Sequence, residues 1–287
     1  MEPPIKSISF IGLGLIGMSL LQALKQSPLA QESAMLFQGY DPNLNERDRH
    51  ALGELGLDSF TSDKKTLYST DLVILAAPVE VNIALLDEIK LLASPTTLVS
   101  DVSSTKSLIA KRARELELPF LGMHPMAGKE QKGYRESHEA LLRDQRVIFC
   151  DDNDLLATEK GRFLVRLLES AGCKSLFMTA EEHDQIIAKV SHLPQLLSTA
   201  LMNFCGESSG SSGPGFATLT RLAGSSWEIW RDIVATNSTN IADELDHFSN
   251  ELAKLSEEVR QQNLDQLASR FSEANRLSHQ LNEMNRP

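Results

Sequence analysis

The stretch Phe120-Leu-Gly-Met-His124-Pro-Met-Ala-Gly128 sets one imidazole behind a short apolar run, in a turn fixed by Pro125 and loosened by Gly122 and Gly128. Imidazole is the side chain best suited to accept a proton near neutral pH, and strand ends are where open α/β sheets hold their ligands. His124 is therefore the candidate general base. A second polar group comes from Asp101-Val-Ser-Ser104-Thr-Lys106, which follows another apolar run. Ser104 from that neighbouring strand end either meets the reacting group or orients the imidazole. It also suits the N-cap of a following helix, and one hydroxyl can serve both roles. Of the other six histidines, His50, His138, His183, His247 and His279 read as surface or structural.

Chemistry at a strand end needs a sheet behind it. Ile8-Ser-Phe-Ile11 reads as a buried strand, followed by Gly12-Leu-Gly14-Leu-Ile-Gly17 and a helical stretch over 18–26. The glycine pattern gains weight from that strand–turn–helix setting. Gly12 permits the tight turn, Gly14 lets the backbone approach a pyrophosphate, and Gly17 lets helix pack on strand. The helix N-terminus offers free N–H groups and a positive dipole end. The next strand, Leu36–Tyr40, ends in Asp41, whose carboxylate can accept both adenosine ribose hydroxyls and would repel a 2′-phosphate. Arg47 and Arg49 come later, and no arginine directly follows Asp41. NAD is thus expected over NADP. The expected cofactor contacts are Gly12, Gly14, Leu15, Ile16, Gly17, Asp41, Pro78 and Ser103, with no metal site.

Further strands are expected at 72–77, 98–100, 120–123, 146–150 and 174–178, with helices over 81–92, 106–116 and 155–170. After Ala180 strand signals vanish. A helix over 186–204, interrupted near Pro194, carries Ser191-His192-Leu-Pro-Gln195. The glycine- and serine-rich 208–215 segment reads as a mobile loop. Ile241, Leu245, Phe248, Leu252, Leu255 and Val259 form a heptad-like seam, and Leu267, Phe271, Leu277 and Leu281 mark a second amphipathic helix. The fold class is α/β: a Rossmann-like, doubly wound, mostly parallel sheet over 1–179, then an all-α dimerisation domain over 180–287.

The whole-chain numbers narrow the function classes. At 287 residues the chain has room for two domains, and a charge of −11 argues against nucleic acid or an anionic membrane as partner. Three scattered cysteines without a CxxC pattern read as reduced thiols of a cytoplasmic protein. No apolar run is long enough for a membrane span.

Together these residues resemble the prephenate/arogenate dehydrogenase family of tyrosine biosynthesis. The resemblance rests on the Gly12–Gly17 fingerprint with Asp41, on Asp101-Val-Ser-Ser104-Thr-Lys106 and on His124-Pro-Met-Ala-Gly128-Lys-Glu130. It continues through Glu182-His-Asp184, Ser191-His-Leu-Pro194, Thr220-Arg221-Leu-Ala and Trp230-Arg-Asp-Ile233. It implies oxidative decarboxylation of a cyclohexadienol, prephenate to 4-hydroxyphenylpyruvate or arogenate in its place, with hydride passing to NAD. It further implies Arg221 as a carboxylate clamp, substrate contacts from Gln195, Ser191, His192, Trp230 and Glu130, a homodimer through the C-terminal helices, and tyrosine as a feedback inhibitor. Many members carry a second histidine where this chain has Gln195. That neutral residue favours prephenate, since arogenate-specific members tend to place an acidic residue near there. Lys129 and Thr218 also depart from the family pattern. Neither a mutase domain before the fingerprint nor a regulatory domain after residue 287 is expected. Two readings compete: a β-hydroxyacid dehydrogenase using Lys189 as base, and an NAD-binding protein without turnover.

Overall fold

A computed structural model describes residues 2–129 and 131–284. The chain packs as two compact units, Met1–Ser238 and Thr239–Pro287. The first is built on five parallel strands in the order β3-β2-β1-β4-β5: β1 Ser7–Ile11, β2 Leu36–Tyr40, β3 Ser59–Phe60, β4 Leu72–Leu75 and β5 Leu98–Asp101. β1 and β4 are buried on both faces because helices cover both sides, as parallel sheets require, and the buried Ser9 hydroxyl of β1 donates to the Leu67 carbonyl. The strand β3 and the helices Pro28–Glu32, Glu46–Glu54 and Lys64–Tyr68 are additions to the sequence reading.

The Gly12 turn follows from sterics. Gly12 has φ +98°, and a Cβ there would stand 2.5 Å from the Ala76 carbonyl carbon. A Cβ on Gly17 would stand 2.2 Å from the Gly12 oxygen, so the Leu15–Gln26 helix can seat only with glycine at that position. Beside Gly14 there is open space.

The strand carrying His124 differs from expectation. β6 spans Gly122–Pro125, so His124 sits inside a strand, opposite Ile148, and not in a turn behind one. β6 runs antiparallel to β7 (Arg146–Cys150), which pairs in parallel with β8 (Lys174–Met178), forming a separate three-stranded sheet. The return from β6 to β7 contains the 3₁₀ turns Tyr134–Glu136 and Glu139–Leu141 in place of a crossover helix, hence the antiparallel pairing. The crossover helix Glu159–Ser170 gives the parallel β7–β8 pair. A single bridge, Val99 to Phe120, links the two sheets at the foot of β6.

From Ala180 the chain is helical. The Ala180–Ile187 helix widens into a π-turn at Ala188–His192 before the Leu193–Cys205 helix. Pro194 has no N–H for an i−4 carbonyl, and the wider turn absorbs that break. The 208–215 segment is not structureless: Gly206–Ser211 is a 3₁₀ helix, and Pro214 opens the next helix. The second unit contains the helices Ser238–Arg260 and Leu264–Met284, with Arg270 reaching Glu258 and Glu251. Among the described residues no helix is long and apolar enough to cross a membrane.

Candidate active site

The nucleotide cradle and a buried histidine relay meet along the segment 101–106. Asp101 and Lys106 are both wholly buried and paired, Nζ to Oδ2 at 2.5 Å. The same carboxylate accepts from the Ser103 N–H (2.9 Å) and the Met123 N–H (3.4 Å). One buried carboxylate thus ties the loop carrying Ser104 to the strand carrying His124. Ser104 is half-buried and does not cap a helix: the next helix starts at Ser107. Its first N–H groups, Lys106 and Ser107, donate at 2.8 Å to the Asp184 carboxylate from a different element.

That carboxylate also anchors the imidazole. Asp184 Oδ1 lies 2.8 Å from His183 Nδ1, and His183 Nε2 lies 2.9 Å from His124 Nδ1. A carboxylate only accepts, so His183 carries its proton on Nδ1 and presents a lone pair at Nε2. His124 must then donate from Nδ1, which leaves the lone pair on its own Nε2, the tautomer a base needs. Of the two readings for His183, surface or structural, burial excludes the first, and its hydrogen bonds orient the His124 ring. Thr179 caps its helix with Glu182 in a reciprocal box, which fixes the start of the helix that carries His183 and Asp184.

Burial holds the His124 pKa well below 6.5, and the nearby His183, Lys106 and His192 push the same way. His183 is lowered by burial despite the opposing hydrogen bond to Asp184, and burial takes His192 down to about 4. Burial raises the Asp184 carboxyl, but hydrogen bonds from His183 and from Ser107 and Lys106 outweigh it and leave it lowered. The acid limb of kcat/KM should therefore fall below pH 6.5, not at the ordinary histidine value. Stability should follow the same sign. Between the lowered native pKa values and 6.5 the unfolded chain binds more protons, so acidification through this window weakens the fold. Each imidazole contributes up to about 1.4 kcal/mol per pH unit. Urea unfolding at stepped pH measures this, and a flat profile from about pH 7 to 5 would refute it.

A cavity of about 530 Å³ lies beside Ser103 and Ser104, after β5, and His124, His183 and Asp184 are not among its lining residues. Of the expected site residues it is lined by Gly14, Leu15, Ile16, Pro78, Ser103, Ser104 and Trp230. The open space at Gly14, beside the first turn of a helix, suits a phosphate group. Asp41 accepts from the Leu13 N–H at 3.0 Å and the Asn43 N–H at 2.9 Å, and its carboxylate stays half-exposed at the end of β2. These features fit a dinucleotide. Asn82, wholly buried and absent from the sequence reading, sets the cavity wall: its amide donates to the Ala77 carbonyl and to Ser103 Oγ.

The helical side is assembled less directly. His192 is buried, and its ring stands edge-on to Trp230 with centroids 5.7 Å apart. Ser191 is half-buried in the π-turn. Gln195 uses both ends of its amide on one turn, donating to the Leu222 carbonyl at 2.7 Å and accepting from Ser225 Oγ at 3.1 Å. Arg221 begins that turn and is exposed, outside the cavity lining. Glu130 lies outside the described residues. Lys132, unnoticed in the sequence, reaches from the segment after β6 to Ser226 and Glu228 at 2.7 and 2.8 Å.

Comparison with known proteins gives this geometry a family. Residues 30–177 match the nucleotide-binding domain of prephenate dehydrogenase, and residues 179–273 match its dimerization domain. The chain belongs to the prephenate dehydrogenase family. It is 30% identical to a prephenate dehydrogenase of Bacillus subtilis, covering 93% of this chain and 74% of that protein. It is also 30% identical to a cyclohexadienyl dehydrogenase of Zymomonas mobilis, covering 94% of both. The solved A. aeolicus prephenate dehydrogenase, in complex with hydroxyphenyl propionate and NAD+, superposes with a TM-score of 0.86 at 24% identity, over 96% of this chain and 98% of that one. The Synechocystis arogenate dehydrogenase gives 0.83 at 25%, over 96% and 99%. Membership makes this chain an oxidoreductase of the prephenate, arogenate or cyclohexadienyl dehydrogenase kind, with a nucleotide-binding region followed by a dimerization region.

Proposed function

We propose that this protein oxidatively decarboxylates prephenate to 4-hydroxyphenylpyruvate, with NAD as cofactor, in tyrosine biosynthesis. The observation that carries the reading is the buried, neutral His124, locked by His183 and Asp184 so that its Nε2 lone pair is left for substrate. NAD, when bound, supplies the hydride acceptor. The residues of the chain do the rest. His124 takes the proton of the ring hydroxyl as hydride leaves the same carbon. The ring carboxylate then departs as carbon dioxide, its bonding pair flows through the ring to the oxygen, and that oxygen recovers the proton from His124. Ser104 holds the substrate hydroxyl, because His183 already orients the imidazole.

Gly12, Gly14, Leu15, Ile16 and Gly17 seat the pyrophosphate, Asp41 the adenosine ribose, and Pro78 with Ser103 the nicotinamide side. Arg221 serves a substrate carboxylate from the turn that Gln195 holds, so Gln195 acts on selectivity through that turn. Ser191, His192 and Trp230 complete the helical side. Residues 1–179 and 180–287 act as the nucleotide and substrate halves. The apolar residues Leu252, Val259, Phe271, Leu277 and Leu281, each at least half exposed, support a homodimer through the C-terminal helices. Tyrosine, a phenol with a carboxylate like the product, is the expected feedback ligand. The buried, unbridged Cys150 and Cys173 favour a cytoplasmic setting.

Purified protein assayed with NAD or NADP, crossed with prephenate or arogenate, tests the reading by absorbance of the reduced cofactor. Turnover confined to arogenate, or to NADP, would reverse the corresponding part. Arg221→Ala should cost roughly ten- to a hundred-fold in kcat/KM, carried by KM, as expected for losing a charge-assisted bond. Arg221→Lys should recover part of it, since the bidentate fork is lost. A KM for prephenate within about twofold of wild type would remove Arg221 from the site.

A further inference from the structure

One residue lining the cavity, Asp232, has a buried carboxylate oxygen without a hydrogen-bond partner among the described residues. Asp232, on the Trp227–Thr236 helix, is 3% exposed and lines the cavity. Its Oδ1 takes two donors from Arg231, Nε at 2.9 Å and Nη2 at 2.8 Å. Its Oδ2 is buried and has no hydrogen-bond partner among the described residues. Keeping such an oxygen dry and unpaired is costly, and a cost borne at the wall of a ligand cavity points to a ligand group that meets it.

Position and charge indicate which group. One turn further along the helix, the Thr236 hydroxyl shares a 2.8 Å hydrogen bond with Thr105, next to Ser104. The same helix packs on the Val79–Leu92 helix, which begins directly after Pro78. Asp232 thus borders the cavity alongside Pro78, Ser103 and Ser104, the elements assigned above to the nicotinamide side. The Arg231 side chain is 60% exposed while that of Asp232 is 4% exposed. Water screens the guanidinium and hardly screens the carboxylate, and the other charged lining residues, Lys129, Lys132 and Glu228, are exposed, so Asp232 is the buried charge among the described lining residues.

We propose that Asp232 is a cofactor-binding residue that accepts a hydrogen bond from the nicotinamide riboside half of NAD and favours the cationic oxidised ring over the neutral reduced one. This assignment rests on the function proposed above. Its consequence is that the negative charge that helps hold the oxidised cofactor loses its attraction once hydride has been transferred, which eases release of the reduced form.

Equilibrium binding of NAD+, NADH and ADP-ribose to the whole protein, read by quenching of its tryptophans, tests the proposal. Trp230 lines the same cavity and supplies the signal. Asp232→Asn keeps the shape and removes the charge. It should raise the Kd of NAD+ about tenfold and that of NADH less than threefold. ADP-ribose, which lacks the nicotinamide, should bind as to wild type, and this also checks that the variant is folded. Equal loss for NAD+ and NADH, or no loss for either, overturns the proposal. So does weakened ADP-ribose binding, which would mark a general structural defect. A selective rise in KM for arogenate, with NAD+ binding unchanged, overturns it by placing the carboxylate at a substrate ammonium. Wild-type protein that fails to bind NAD+ at all would overturn the proposed function instead, and this inference with it.

Discussion

His124→Asn is expected to lower kcat by roughly 10²–10⁴ while leaving NAD binding and the fold intact, the range for losing a general base. Asparagine keeps a polar group of similar reach but offers no lone pair basic enough to take the proton. The structure adds a sharper test through His183. With Nδ1 of His183 bound to Asp184 and its Nε2 facing His124, the relay fixes a single tautomer of the His124 ring. His183→Leu removes that constraint and lets the proton of His124 sit on either nitrogen. It should lower kcat more than KM, by less than the loss of His124 itself. It should also move the acid limb of the pH profile, since His183 is one of the groups holding the His124 pKa down. A purely structural role for His183 would reduce stability and leave the pH profile of the surviving activity unmoved. Near wild-type kcat in His124→Asn would remove the base assignment altogether.

The cradle and the relay differ in how they are written into the chain, and this explains which was legible. The Gly12–Gly17 turn is dictated by contacts of the backbone with its immediate surroundings, where a Cβ at Gly12 or Gly17 cannot fit. Residue type and spacing alone therefore announce it. The strands β1, β2, β4, β7 and β8 were equally plain, being short apolar runs between turn residues. The direction of β6 was not. Its run of apolar residues reads the same in a parallel or an antiparallel pair, and only the return through 3₁₀ turns decides it. His124 and Ser104 could be found because both stand near the ends of recognisable strands. His183 could not be given a role, because its partner lies 59 residues earlier and the anchor of Asp184 on Lys106 spans 78. Such pairings exist only after the helices have packed. The same holds for the hydrogen bonds of Gln195, for which the family resemblance implies a substrate contact. Both ends of its amide engage a turn about thirty residues away, at separations of 27 and 30.

Lys106→Met is expected to cost about 3–5 kcal/mol of folding stability, the range for breaking a buried ion pair by removing one partner. Lys106 and Asp101 are both inaccessible to solvent, so the carboxylate left behind could not recover hydration. Methionine keeps most of the stem that packs against Gly122, where a Cβ would come within 3.0 Å of the lysine Cδ. The loss therefore reports the charge and not a cavity. Asp101 also holds the Ser103 and Met123 N–H groups, so an unpaired carboxylate that moves would loosen Ser104 against His124. Activity should fall along with stability, and more than in a surface variant of equal stability. The double variant Asp101→Asn with Lys106→Met removes both charges. It should recover part of the stability, because two uncharged neighbours need no compensation, but less of the activity, because Ser103 and Met123 donate to different oxygens of Asp101 and an amide keeps only one acceptor oxygen. Urea unfolding of the three variants, with kcat followed in parallel, separates these effects. A cost below about 1 kcal/mol for Lys106→Met would mean that water or another cation reaches Asp101, and that the pair is not what fixes the two catalytic segments together.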